Sequence, residues 1–308
     1  MASYKVEEIP GPQLDLGEGP HWDSQTQSLY YVNLFEATIY RLDHQSNKVY
    51  SAKVEGCTYA SFIIPVKGRI NEFVIGDGTR LLLINWDGLS DRAKVVSCLA
   101  DLAQEAAGHR WNDGKVDSHG RLYAGVMITE NGGNPFEVNS GKFYRFDSKS
   151  RTFVQQLDNL YISNGLAWND KTKKFYYVDS GAHDIKEFDV DKNENLAAGN
   201  VFFDLKENGK KPVHFFDGMT IDAEGNLFVA VFHTGKVLKI NPKGQVTQEI
   251  NVPAKQITSV AFGGPKLDEL YVTTAKRLVL KPQDPPAGAT FKITGLGVKG
   301  TPMNSIAL

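Results

Sequence analysis

At 308 residues, 41% hydrophobic and 23% charged, the chain is large enough for two average domains or for one large all-β domain. A net charge of −2, with lysines and arginines scattered, excludes the basic footprint of a nucleic-acid or anionic-membrane binder. Two cysteines, Cys57 and Cys98, are too few for a disulfide framework and lack metal-ligand spacing, so two idle thiols are expected.

The first residues, Met1-Ala2-Ser3-Tyr4-Lys5-Val6-Glu7-Glu8, place acids where a secretory signal carries its apolar run. No apolar stretch is long enough to span a bilayer, and no Asn-x-Ser/Thr acceptor occurs. A cytoplasmic protein is expected.

From there one phrase recurs. A polar turn is followed by an alternating apolar strand, at 28–32, 72–75, 121–125, 174–178, 226–230 and 269–273. A companion strand follows each, at 38–43, 81–84, 142–147, 184–189, 236–240 and 290–293. The anchors Leu29, Phe73, Leu122, Phe175, Leu227 and Leu270 recur every 43 to 53 residues, the period of four-stranded propeller blades. Turn chemistry such as Ser118-His119-Gly120 and Ala223-Glu224-Gly225-Asn226 separates the strands. Helical periodicity is weak, and 99–107 is the one stretch expected to form a short helix.

Each phrase is preceded by a further strand, at 19–23, 60–66, 112–117, 164–169, 217–222 and 257–263. The sixth repeat ends without its outer strand, and residues 4–9 are expected to supply it and remove an open sheet edge. The expectation is an all-β fold: a six-bladed β-propeller of four-stranded antiparallel blades forming a single domain over 1–308.

In a propeller the first strand of each blade lines the channel. There the sequence repeats an oxygen-bearing side chain beside a glycine: Gly17-Glu18-Gly19, Asn112-Asp113-Gly114, Ser163-Asn164-Gly165 and Asp217-Gly218. Glycine at these points implies close backbone approach or a left-handed turn. Carboxylates gathered in a channel without counter-charge are costly, and a divalent cation relieves that cost. Glu18, Asn164 and Asp217 make an all-oxygen set suited to Ca²⁺, Mg²⁺ or Mn²⁺, with Zn²⁺ also open. The histidines have no zinc-motif spacing, and no nucleophile elbow, phosphate loop or dinucleotide fingerprint stands in a fitting context.

These motifs resemble the regucalcin/senescence marker protein/gluconolactonase family, which includes insect luciferin-regenerating enzymes and anterior fat body proteins. The residues that carry the likeness are Gly17-Glu18-Gly19-Pro20, Arg110-Trp111-Asn112-Asp113-Gly114-Lys115, Ser163-Asn164-Gly165-Leu166, Asp217-Gly218-Met219 and Phe262-Gly263-Gly264, in the family's order. The resemblance implies one divalent cation in the channel held by Glu18, Asn164 and Asp217. It also implies substrate contacts from Arg110, Asn112 and Glu130, with Asp217 as proton acceptor. Val126 departs from the threonine of many relatives, and the 274–289 loop is shorter than in several of them. The activity implied is opening of a sugar lactone by a metal-polarised carbonyl and an Asp217-activated water. The alternatives are a luciferin-related, aryl ester or organophosphate substrate at the same site, with Trp111, Phe136 and Phe215 lining an aromatic rim, or a non-catalytic calcium-binding regulator. A monomer is expected, with a small-molecule lactone as partner and neither nucleic acid nor membrane.

Overall fold

A computed structural model describes residues 4–191, 195–206, 208–276 and 283–308. After β1 (Lys5–Glu8), the chain forms an antiparallel meander of β2 (Gly17–Asp23), β3 (Ser28–Asn33), β4 (Thr38–Asp43) and β5 (Lys48–Val54). A second meander comprises β6 (Ile63–Pro65), β7 (Glu72–Asp77), β8 (Arg80–Asn85) and β9 (Arg92–Asp101). A short parallel pairing, Lys53↔Arg92 and Val54↔Ala93, joins β5 to β9, so these two meanders form one eight-stranded sheet.

The remaining sheets are four-stranded. One holds β10 (His109–Val116), β11 (Leu122–Ile128), β12 (Gly141–Asp147) and β13 (Thr152–Leu160). The next holds β14 (Ser163–Asn169), β15 (Lys174–Asp179), β16 (Asp184–Asp189) and β17 (Asn200–Asp204). It is followed by β18 (Phe215–Ile221), β19 (Leu227–Phe232), β20 (Lys236–Ile240) and β21 (Val246–Asn251). The last contains β22 (Ile257–Gly263), β23 (Glu269–Thr274) and β24 (Phe291–Thr294), with β1 on its outer edge. The register there runs from Lys5↔Thr294 to Glu8↔Phe291, so the N-terminal strand completes the sheet as expected.

Alternating strands explain the packing. Each sheet turns apolar side chains toward both neighbours, and a core forms at every junction. Phe62, Leu81 and Leu83 meet Trp111, Val126 and Tyr144 between the second meander and the β10 sheet. Phe228 and Ile250 meet Phe262 and Leu270 between the β18 and β22 sheets. Trp22 of β2 stacks on Tyr271 of β23, ring centroids 5.7 Å apart, which brings the first meander against the last sheet. Each such side chain, fully removed from water, contributes on the order of 1.5–3 kcal/mol. The first strands of successive sheets pack on one another, β10 against β14, β14 against β18, β18 against β22 and β22 against β2.

Two expectations need correction. Residues 99–107 form no helix: β9 continues to Asp101, pairing Leu81↔Ala100 and Leu82↔Cys98 with β8. Only one turn follows, in which the amides of Glu105 and Ala106 both donate to the Leu102 carbonyl. A segment this short cannot offset helix nucleation, whereas the strand gains a full ladder. Trp111 is the second correction. It is fully buried between Tyr144 and Phe153, at 6.1 and 5.1 Å, and lines no rim.

Cys57 is half-buried, Cys98 is exposed, and both are free thiols. No helix among the described residues is long and apolar enough to cross a membrane. Of the 274–289 loop, residues 277–282 lie outside the described residues.

Candidate functional site

The predicted oxygen donors sit on or directly beside bulges, and the bulges aim them. In β14, Ser163 pairs with Asp179 and Leu166 with Tyr177, so Asn164 and Gly165 together oppose one residue. In β18 the register jumps from Phe216↔Val231 to Met219↔Val229, leaving Asp217 and Gly218 opposite one partner. The same slip occurs between Trp111 and Gly114 in β10 and between Glu18 and His21 in β2. A bulge bends its strand and re-aims a side chain. Four first strands carry one: in β10, β14 and β18 the bulge holds the oxygen-bearing residue itself, and in β2 it holds Gly19 and Pro20, directly after Glu18.

The glycines permit this crowding. A Cβ on Gly165 would lie 2.6 Å from Met219 Cβ and 2.8 Å from the Asp217 carbonyl oxygen of the next sheet. A Cβ on Gly218 would stand 2.0 Å from Ser259 Oγ. Both positions require close approach, as the sequence pattern implied.

The side chains join in one network. Arg110, buried on β10, donates from Nε and Nη2 to Glu130 Oε1 at 2.9 and 2.7 Å, and from Nη1 to Asn112 Oδ1 at 2.8 Å. Asn112 Nδ2 donates to Asn164 Oδ1 at 3.1 Å and to the Ser163 carbonyl at 2.9 Å. Asn164 Nδ2 donates to Ser180 Oγ at 2.8 Å, and the Asn164 amide stands beside Asp217, where it favours the charged carboxylate. Glu18 couples to this group through charge, since Glu18 and Asp113 each act on Asp217. Glu130, Arg110, Asn112 and Asn164 are thus connected side chain to side chain, with Asp217 and Glu18 in their field. Glu130 is the most open member, its side chain 40% exposed against 3% for Arg110.

Electrostatics show what the arrangement lacks. Burial, and then the Asp113 charge, push Glu18 up to about 8 against the pull of the Gly19 amide and Arg110. Burial also holds Asp217 well above the usual carboxylate range, with Glu18 and Asp113 adding to it. Asp113 is raised by burial and pulled back by Lys115. Crowded carboxylates in a poorly solvated channel favour protons over charge unless a cation arrives. Among the described residues no three His, Cys, Asp or Glu side chains cluster closely enough to hold a metal ion. The donor set is instead two carboxylates and an amide, all hard oxygen, which fits Ca²⁺, Mg²⁺ or Mn²⁺.

Aromatic residues stand at the same end of these strands. Phe136 lies 4.8 Å from Phe215, which is two residues before Asp217, and Phe215 stacks on Phe232 at 4.9 Å. The Arg110 guanidinium sits 5.7 Å over Phe35. A cavity of about 650 Å³ opens elsewhere, past the other ends of β10, β14 and β18, and none of the predicted site residues lines it. That cavity has polar walls of its own, Asp117, Asp170, Asp222 and Glu224 among them. We place the chemistry at the carboxylate end, where the buried Arg110 and Asn164 side chains converge with Asn112 in one hydrogen-bonded network.

Beside the predicted set stand Asp113, which the sequence reading placed at the channel mouth but gave no ligand or catalytic role, and Lys115 and Ser180, which it gave none at all. The first two are in the Asn112-Asp113-Gly114-Lys115 motif, where the glycine signals the bulge that brings both inward. Ser180 had no signal, since it lies in the turn after β15 and meets Asn164 only in three dimensions.

A model of the SMP-30/Gluconolactonase/LRE-like region matches residues 16–276, a span holding every side chain of this network. Regucalcin of Gallus gallus is 34% identical over 98% of each chain. A luciferin-regenerating enzyme of known structure superposes with a TM-score of 0.90 at 34% identity, covering 99% of this chain and 100% of the other. A calcium-binding regucalcin of Agrobacterium tumefaciens superposes with a TM-score of 0.84 at 23% identity, covering 99% and 98%, a likeness of fold.

Proposed function

The chain belongs to the SMP-30/gluconolactonase/LRE-like family, and on that premise we propose that it is a divalent-metal-dependent hydrolase that opens lactones, sugar lactones first among them. The observation that carries this reading is the hydrogen-bonded path from Arg110 through Asn112 to Asn164, with buried Asp217 beside the Asn164 amide. In the same reading the sheets form the blades of a single six-bladed propeller over 1–308, with the eight-stranded sheet counting as two blades. The protein is taken to be a cytoplasmic monomer.

Glu18, Asn164 and Asp217 would hold the cation, with Ca²⁺ favoured as the bound ion and Zn²⁺, Mn²⁺ or Mg²⁺ as alternatives for activity. When bound, it supplies a Lewis acid for the lactone carbonyl and the positive charge that keeps the carboxylates ionised at neutral pH. The chain's own groups do the rest. Asp217 accepts the proton of the attacking water, a role open to a carboxylate within reach of it. The Arg110–Glu130 pair and Asn112 present donors and acceptors to ring oxygens and hydroxyls, and a site built to hydrogen-bond such groups rejects substrates lacking them. Asn112 also keeps the Asn164 amide oriented through their shared hydrogen bond.

A second reading rests on Phe35, Phe136 and Phe215 beside the polar path: a substrate with an aromatic portion, such as an aryl ester or luciferin-related heterocycle. The test is turnover of D-glucono-δ-lactone and of aryl lactones or esters with added Ca²⁺, Mn²⁺ or Zn²⁺, in wild type and Asp217→Ala. The proposal expects metal-dependent lactone opening that Asp217→Ala abolishes. Cation binding without turnover of any substrate would favour a calcium-binding regulator instead.

A further inference from the structure

Lys115 takes no part in substrate contact or proton transfer as derived above, yet its ammonium lies inside the ring of first strands. Its Nζ donates to the Leu166 carbonyl of β14 at 2.9 Å and to the Met219 carbonyl of β18 at 2.7 Å. These acceptors hold a special place. Leu166 and Met219 are the residues at which normal pairing resumes after the bulges that carry Asn164 and Asp217. Lys115 itself stands just past the bulge of its own strand, paired with Tyr123. One side chain therefore ties three bulged strands together immediately below the oxygen donors.

We propose that Lys115 is a positioning residue that sets the convergence of Asn164 and Asp217 and thereby the cation affinity of the site. The inference rests on the metal reading given above. A bulge leaves its extra residue outside the ladder, so the local geometry needs support from elsewhere. A charged donor on two carbonyls supplies it with charge-assisted hydrogen bonds, stronger than neutral ones. The cradle is tight, since Gly165 already approaches Met219 too closely for any larger residue. Asp113, on the same strand, faces the ammonium with the compensating charge, while burial lowers the Lys115 pKa.

A rival role is available to any lysine near carboxylates: simple charge balance. The two roles predict opposite signs. Removing a positive charge near a cation site raises cation affinity by Coulomb's law, whereas loosening the bulges lowers it. The experiment measures Ca²⁺ affinity by calorimetry, with Tb³⁺ luminescence as a second probe, in wild type, Lys115→Met and Lys115→Gln. Circular dichroism and thermal melting check that each variant folds. Positioning expects Lys115→Met to bind about tenfold more weakly or worse, and Lys115→Gln, which keeps one short donor, to lie between it and wild type. Unchanged or tighter binding in either folded variant overturns the proposal, and if Lys115→Met does not fold, Lys115→Gln decides by the same criterion. Wild type that binds no cation overturns the metal reading and this inference together. Wild type that binds cation but opens no lactone overturns the hydrolase reading alone.

Discussion

Asn112 and Asn164 are 52 residues apart in the chain, yet Asn112 Nδ2 donates to Asn164 Oδ1 at 3.1 Å. One amide accepts from Arg110 and the other stands beside Asp217, so this bond connects the proposed substrate-facing and cation-facing parts of the site. Asn112→Ala should disturb both at once. It leaves Asn164 Oδ1 without its donor and takes one acceptor from Arg110 Nη1, so kcat/KM is expected to fall about tenfold to a hundredfold. A KM effect alone, with kcat unchanged, would limit Asn112 to substrate binding.

Cation uptake should release protons. Glu18 is pushed up to about 8 and Asp217 lies well above its usual range in the metal-free protein, chiefly through burial. At pH 7 Glu18 therefore holds a proton that a cation must displace, and the raised Asp217 shifts the balance in the same direction. Calorimetry in buffers of differing ionisation enthalpy should show roughly one to two protons released on Ca²⁺ binding, and affinity should rise between pH 6 and pH 8. Binding independent of buffer and pH would mean that these carboxyls are not the ligands.

His21 should make folding acid-sensitive. Burial lowers its pKa to about 4 from 6.5, with Asp23 opposing the shift and Lys115 adding to it. The unfolded chain thus takes up a proton that the folded chain refuses. The His21 contribution is full above pH 6.5 and is lost as pH falls toward 4, by up to about 3 kcal/mol. Glu18 and Asp217 act with the opposite sign in the metal-free protein, so the comparison must be between wild type and His21→Phe. Urea midpoints at pH 7.5 and 4.5 should differ less in the variant, and an identical difference would sink the assignment.

The N-terminal strand should matter to the whole protein. β1 pairs along β24, Tyr4 Oη accepts a hydrogen bond from the Asn251 amide at 2.9 Å, and Ile9 is buried. Deleting residues 1–9 should cost about 2–4 kcal/mol and lower the thermal midpoint by roughly 5–10 °C. An unchanged midpoint would show that this edge strand is dispensable.

Much of this organisation was legible in the chain. The strand phrase anchored on Leu29, Phe73, Leu122, Phe175, Leu227 and Leu270 survives because alternating apolar residues leave little choice of face. Gly165 and Gly218 were readable because only glycine tolerates the approach of the neighbouring strand. The stretch at 99–107 misled because Ala, Leu, Gln and Glu favour helix locally, while pairing with β8 is a long-range gain invisible at that scale. Trp111 misled in another way: proximity to Asn112 suggested a rim, but alternation turns neighbouring side chains to opposite faces. Ser180 and the Lys115 bridge depend on contacts between sheets, which one strand's pattern does not encode.

The most direct test is anomalous diffraction from crystals soaked in Mn²⁺. The expected result is one strong peak within about 2.0–2.6 Å of oxygens from Glu18, Asn164 and Asp217 together. A peak elsewhere, or none at these three side chains under saturating Mn²⁺, would contradict the site on which the proposed chemistry depends.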